Sequence, residues 1–249
     1  MGIFILFVIY LKDRSPYRYV FGLVNKKITS IHFFEKQRRK LDCWCPPCGK
    51  KKKDSMVFIT EGQSAAGSIV SCRDVLTQAI FALKGKPLNV CDLNRDAVYK
   101  NAELYNPTRG LDIESDVDNL RYDHVILATD ADVDGLHIRN LMITFFLRFF
   151  ESLVREGHLK ILETPLFRVR NKKKTFYCYS EAERDEALEA VRGAETTRFK
   201  GLGEISPHEF APFISADMQI SPVMIHNLGE VTQCLDFFMG RNTPDRKQF

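Results

Sequence analysis

Val125-Ile126-Leu127-Ala128-Thr129-Asp130-Ala131-Asp132-Val133-Asp134-Gly135 is the stretch on which the reading of this chain turns. An apolar run leads into three acids, and a helix-patterned segment opens near His137. That is the pattern of a buried strand, a loop and a helix. In an extended segment, carboxylates at i, i+2 and i+4 all aim the same way. Like charges held so close repel unless a cation or an unusual protonation state relieves them. A divalent metal with oxygen ligands, Mg2+ before others, satisfies the three aspartates. A solvated acidic loop is the plain alternative, and Asp130-Ala131-Asp132 alone does not decide between them.

Outward from this stretch, an α/β rhythm begins at Ser55. Met56 to Thr60 is a short apolar, β-prone run. A turn rich in small residues follows, Glu61-Gly62-Gln63-Ser64-Ala65-Ala66-Gly67-Ser68. Ile69, Val70, Val75, Ile80 and Leu83 then fall at helical spacing, so a helix is expected over 69–83. Lys84-Gly85-Lys86-Pro87 breaks it, and Leu88-Asn89-Val90 reads as a second short strand. Residues 91–121 are polar and irregular, with short helices. After the strand at His124 to Thr129, Ile138, Leu141, Met142, Phe145, Phe149 and Leu153 form one stripe, which is core packing. Leu159 to Arg170 reads as strand and turn. Thr175 to Tyr179 pairs with it as a hairpin whose tip is Lys172-Lys173-Lys174. A charged helix spans Glu181 to Val191, and the remainder reads as helical, fraying over 242–249.

Alternating strands and helices predict a parallel sheet covered on both faces, a Rossmann-like α/β architecture with a helical C-terminal tail. Sites in such sheets form beyond the carboxyl ends of strands. Glu61 ends one strand and Asp130 another. If those strands are neighbours, Glu61 faces Asp130, Asp132 and Asp134. Aspartates can hold Mg2+ and neutralise a phosphate, while a glutamate moves a proton, as metal-assisted phosphoryl transfer requires. Gly62 and Gly67 allow backbone to approach a phosphate without a Cβ clash.

The 249 residues suffice for one large domain or two small ones, and 45% hydrophobic content is ample for a core. A net charge of +4 is too small to argue for nucleic acid by itself. The basic residues cluster, however, at 36–40, 50–53 and 172–174. Seven cysteines without even spacing do not form a secreted disulfide framework, which points to reduced thiols in the cytoplasm. Ile3 to Tyr10 is apolar but too short to span a bilayer, and it lacks the flanks of a signal peptide. Residues 1–54 form an atypical N-terminal segment. Cys43, Cys45 and Cys48 could be soft ligands for zinc, but no fourth ligand sits at a matching spacing. A surface turn is the plainer reading.

Four motifs now stand in order: Glu61-Gly62-Gln63-Ser64-Ala65-Ala66-Gly67-Ser68, Lys84-Gly85-Lys86-Pro87-Leu88-Asn89-Val90, Thr129 to Arg139, and Arg198-Phe199-Lys200-Gly201-Leu202-Gly203-Glu204. Together with Met239-Gly240 they resemble the Toprim region, the C-terminal half of the B subunit, of bacterial type IIA topoisomerases. Pro165-Leu166-Phe167-Arg168-Val169 and the lysine-rich hairpin bring it nearer the topoisomerase IV branch than the gyrase branch. The resemblance implies a Toprim domain over 55–170, with 171–249 completing the region. It implies DNA cleavage and religation, in which the tyrosine of a partner A subunit attacks a DNA phosphate within an A2B2 assembly. Glu61 is then the general acid/base and a metal ligand. Asp130 and Asp132 are metal ligands, and Asp134 is a weaker one. Lys86, Asn89, His137 and Lys200 become DNA contacts.

Two departures qualify the resemblance. Gln63 stands where the family usually has Asp. In the family the B subunit opens with an ATPase domain and a transducer domain, and nothing in residues 1–40 resembles either. Gly201-Leu202-Gly203 also lacks the setting of a nucleotide loop. The chain alone is therefore expected not to hydrolyse ATP. It is expected to be either a fragment of a longer enzyme or a truncated product. A non-catalytic remnant that binds the A subunit or DNA, and another Toprim enzyme such as a primase or nuclease, remain as alternatives.

Overall fold

The alternating faces of three short apolar strands organise the molecule. The computed structural model describes residues 54–241 and 244, apart from 216, 226 and 227. The expectations for Cys43, Cys45 and Cys48, for the apolar 3–10 run, for the basic runs at 36–40 and 50–53 and for fraying over 242–249 lie outside the described residues. Strand β1 (Met56–Thr60) pairs in parallel with β2 (Gln78–Ala82) on one side and β3 (His124–Ala128) on the other. Strand β4 (Leu159–Glu163) adds to β3 in parallel, and β8 (Gln219–Pro222) closes the edge antiparallel, giving the order β2-β1-β3-β4-β8.

Because strand side chains alternate, each strand feeds two cores. Val57, Ile59, Ala79, Phe81, Val125 and Leu127 enter one, where they meet helices α2 (Arg95–Tyr99), α3 (Ala102–Leu111) and α4 (Val133–Phe149). Phe58, Ile80, Ile126 and Ala128 enter the other, against α1 (Gln63–Val70) and the segment from Phe199 to Ile214. The expected parallel α/β sheet with helices on both faces is what forms. A break at Phe150, with φ −141° and ψ 47°, separates α4 from α5 (Glu151–Arg155), where one continuous helix was expected. Phe145, Phe146 and Phe150 pack edge-on or tilted across that break, with centroids 5.1 to 6.4 Å apart.

A second, three-stranded sheet has the order β6-β5-β7, from β5 (Phe167–Arg170), β6 (Thr175–Cys178) and β7 (Glu195–Arg198). The expected hairpin is β5 and β6, with Arg170 opposite Thr175. Helix α6 (Glu181–Ala190) covers this sheet, its amino end capped by Ser180. Helices α7 (Pro207–Phe210) and α8 (Leu228–Phe238) follow it.

Three local expectations are corrected. The helix foreseen over 69–83 ends at Val70, and 78–82 is strand β2. Asp74 makes the turn between them, accepting from Leu76 N–H at 2.9 Å and the Thr77 hydroxyl at 2.8 Å. Ile80 is buried within β2 and Leu83 just past its end, so their helical spacing was coincidental. Leu88-Asn89-Val90 forms no ladder, and its backbone is an irregular loop. The stretch after Glu204 is not all helical, since β8 lies within it.

Candidate metal and nucleic-acid site

Parallel pairing sets Thr60 opposite Ala128, so Glu61 and Asp130 emerge side by side at the carboxyl ends of neighbouring strands. The Asp130 N–H donates to Glu61 Oε2 at 3.4 Å. Burial is the largest influence on Glu61, followed by the hydrogen bond and charge of the Asp130 carboxyl, with Asp132 adding repulsion. Together they push the Glu61 carboxyl up to about 7, although the Asp130 N–H pulls the other way. Two acids sharing a site in this way lack a positive charge between them.

The loop after β7 completes the cradle. Ala131 N–H donates to the Lys200 carbonyl at 3.1 Å, and Leu202 N–H donates to Asp130 Oδ1 at 2.8 Å. A Cβ on Gly201 would stand 2.8 Å from Asp130 Oδ2, and one on Gly203 would stand 2.8 Å from Ser64 Oγ. These glycines let the loop close onto Asp130 and α1, so Gly201-Leu202-Gly203 is filled by protein rather than open to a nucleotide. The motif was visible in the sequence, but its contact with Asp130 was not; Gly201 and Leu202 are site residues that sequence reasoning missed. Gly135 likewise lies against the Asp130 carbonyl, where a Cβ would collide with backbone.

The three aspartates do not share one extended segment. Asp132 is extended, but it is the N-cap of α4, accepting from Gly135 N–H at 2.8 Å. Helix α4 therefore starts four residues earlier than expected, and Asp134 sits in its first turn. Asp134 is exposed and turned to Lys86, whose Nζ lies 2.7 Å from its Oδ1. The Lys86 hydrogen bond and charge hold Asp134 below the usual carboxylate range. Among the described residues no three His, Cys, Asp or Glu side chains are gathered as a metal-holding group. Glu61 and Asp130 come together with Asp132 nearby, and Asp134 stands apart.

Of the expected DNA contacts, Lys86, His137 and Lys200 are exposed around this end of the sheet. The Lys200 N–H is fixed by Glu204 Oε2 at 2.9 Å, leaving its side chain at the surface. Asn89 differs: its Nδ2 donates to the Met239 carbonyl at 2.7 Å, while its Oδ1 accepts from Cys91 N–H. Its amide is committed to the end of α8. Gln63 is exposed at the start of α1 and leaves the Glu61–Asp130 pair in place. Gly62 and Gly67 have open space where a Cβ would stand.

Residues 56–164 match the family model of the Toprim domain. Over 202 residues the chain is 57% identical to the B subunit of DNA topoisomerase 4 from Borreliella burgdorferi, covering 80% of this chain and 34% of that protein. It is 35% identical over 206 residues to the B subunit of DNA gyrase from Archaeoglobus fulgidus, covering 80% and 33%. The fold is also that of the Plasmodium falciparum topoisomerase II DNA-binding, cleavage and re-ligation domain, with a TM-score of 0.72 at 23% identity, over 93% of this chain and 32% of that one. The parallel sheet and the matched segment make this a protein with a Toprim domain. More particularly, it fits the C-terminal half of the B subunit of a type IIA topoisomerase. It spans about a third of the length of these curated relatives.

Proposed function

We propose that this chain supplies the Mg2+-dependent acid–base half of a DNA cleavage and religation centre, working with an A subunit that brings the nucleophilic tyrosine. The observation that carries the reading is the Glu61–Asp130 pair at neighbouring strand ends, with the glutamate raised to about 7. Such a group can both give and take a proton near neutral pH. The donor set is all oxygen and short of positive charge, which fits a hard divalent cation. Glu61 and Asp130 would hold Mg2+, joined by Asp132, whose N-cap bond leaves its second carboxylate oxygen available. When bound, the ion neutralises charge on the phosphate and on the leaving oxygen. Asp134, paired with Lys86, keeps that lysine near the site as a phosphate contact, beside His137 and Lys200.

The double-stranded DNA substrate, the A2B2 stoichiometry and a cytoplasmic setting belong to the same reading. No helix among the described residues is long and apolar enough to cross a membrane. The same reading gives this chain no ATP turnover of its own. The test mixes the chain with a cognate A subunit, supercoiled DNA and Mg2+. Linear and nicked products that need Mg2+ and vanish in Glu61→Ala are expected. Absence of products, with parent and variant alike, would reduce the chain to a non-catalytic binding partner.

A further inference from the structure

The tip of the β5–β6 hairpin gathers cations that the site above does not use. Arg170, Lys172, Lys173 and Lys174 are all exposed. Asn171 fixes the turn: its Oδ1 accepts from the N–H groups of Lys173 and Lys174, both at 2.9 Å, and its N–H donates to the Lys174 carbonyl. Its Nδ2 reaches the Arg192 carbonyl at 3.4 Å, which brings exposed Arg192 to the same end of the sheet. These five cations outnumber the chain's whole formal net charge of +4, and among the described residues none is in an ion pair. Glu195, opposite Arg170 in register, is the nearest acid along the strands. Charges this dense repel one another, and holding them on an ordered turn favours a polyanion.

The tip has a defined relation to the carboxylate pair. At the other end of the sheet, Phe199 N–H donates to the Leu166 carbonyl at 2.8 Å, and the next residue bonds Ala131. Lys172 lies six residues beyond Leu166, so at about 3.3 Å per residue the tip stands roughly 20 Å along the sheet from the end that meets the Asp130 loop. Duplex DNA rises about 3.4 Å per phosphate of one strand, so that offset is roughly six base pairs.

We infer that the β5–β6 tip is a second nucleic-acid contact, gripping duplex phosphates that flank the reacting one without reading sequence. The inference rests on the DNA reading of the carboxylate site. Its test is the salt dependence of duplex binding by the full 249-residue chain. The probe is a 30-base-pair duplex titrated at several KCl concentrations, with Lys172→Gln/Lys173→Gln/Lys174→Gln as the variant. Each lost phosphate contact removes about 0.9 from the slope of log K against log salt, so a slope shallower by about 2 to 3 is expected, equally for unrelated sequences. A slope within one unit of the parent's overturns the inference. If cleavage with the A subunit persists alongside that result, only the role of the tip fails. No salt-dependent duplex binding by the parent chain overturns the DNA reading as well. Loss of poly-glutamate binding without loss of duplex binding would assign the patch to an acidic protein and overturn the inference. The lysines are exposed, so an unchanged melting curve verifies that the variant folds.

Discussion

A glutamate whose carboxyl is raised to about 7 is half protonated at neutral pH, against an ordinary value of 4.5. Its contribution to stability is fully present below 4.5 and is lost as pH rises through about 7, because only the unfolded chain then ionises it freely. Glu61→Gln, neutral throughout, should therefore match the parent near pH 4 and exceed it near pH 8 in metal-free buffer. The full shift must be discounted for solvent screening at this half-buried site, so about 1 kcal/mol is expected in thermal melts. The proton competes with a cation, so added Mg2+ should raise the parent's Tm more at pH 8 than at pH 6 and leave Glu61→Gln nearly unmoved. Gly201 gives an independent check. Alanine there would drive its methyl against Asp130 Oδ2, displacing a carboxylate that Leu202 N–H holds. Gly201→Ala should weaken Mg2+ binding, read by calorimetry, by about tenfold or more. Glu61 and Asp130 were legible because each ends an apolar run. Asp134 was misplaced because the spacing of acids says nothing of where a helix starts; Asp132 three residues before Gly135 was the available cap signal.

Elements were most legible where both faces of a strand are buried and least legible where contacts are distant. Strands β1 and β3 are continuous apolar runs, as a parallel sheet covered on both faces demands. Strand β2 is equally apolar, but its residues fall by chance in phase with the preceding helix, and only the Asp74 turn separates the two. Strand β8 is half exposed at an edge and carries no alternation to announce it. The end of α8 offers the sharpest case. Asn89 satisfies its Met239 carbonyl, and Arg241 meets Asp92 at 3.0 Å. These partners lie too far apart in sequence for any local pattern to join them. Asn89→Ala should release this end of the helix at a cost of about 1 kcal/mol, near the net worth of one hydrogen bond. Hydrogen exchange should then quicken about fivefold at the amides of Cys234 to Phe238 and remain unchanged in α4. Uniform exchange in both helices would return Asn89 to the role of a free surface contact.

Across the whole molecule, the two sheets act together only if the loop between them stays seated on Asp130. Beneath β5, a partly buried polar knot supports the residues that lead into that loop. Glu209 accepts from Arg168 Nη1 at 2.7 and 3.0 Å, from the Tyr177 hydroxyl at 3.0 Å and from Ser206 Oγ at 2.9 Å. Arg168 also reaches Thr197 Oγ1 and lies over the Phe199 ring. Burial pushes Glu209 upward, but the Arg168, Ser206 and Tyr177 bonds outweigh it and hold the carboxyl below its ordinary 4.5. The Tyr177 hydroxyl, by burial and then by that same bond, is pushed up to about 12. Removing one partner of such a partly solvated pair costs about 1.5 kcal/mol, near the worth of a hydrogen bond to a charged group. Glu209→Gln should lower urea stability by that order at pH 7. Because the Glu209 carboxyl is depressed in the folded state, its contribution is present above 4.5 and falls away as pH drops below that value, so the gap between parent and variant should close in acid. The same variant should loosen the Lys200–Leu202 loop, and Mg2+ binding at Glu61 and Asp130 should weaken although no ligand has changed. A variant that loses stability equally at every pH, with Mg2+ affinity intact, would show that the knot holds β5 to α7 without reaching the carboxylates.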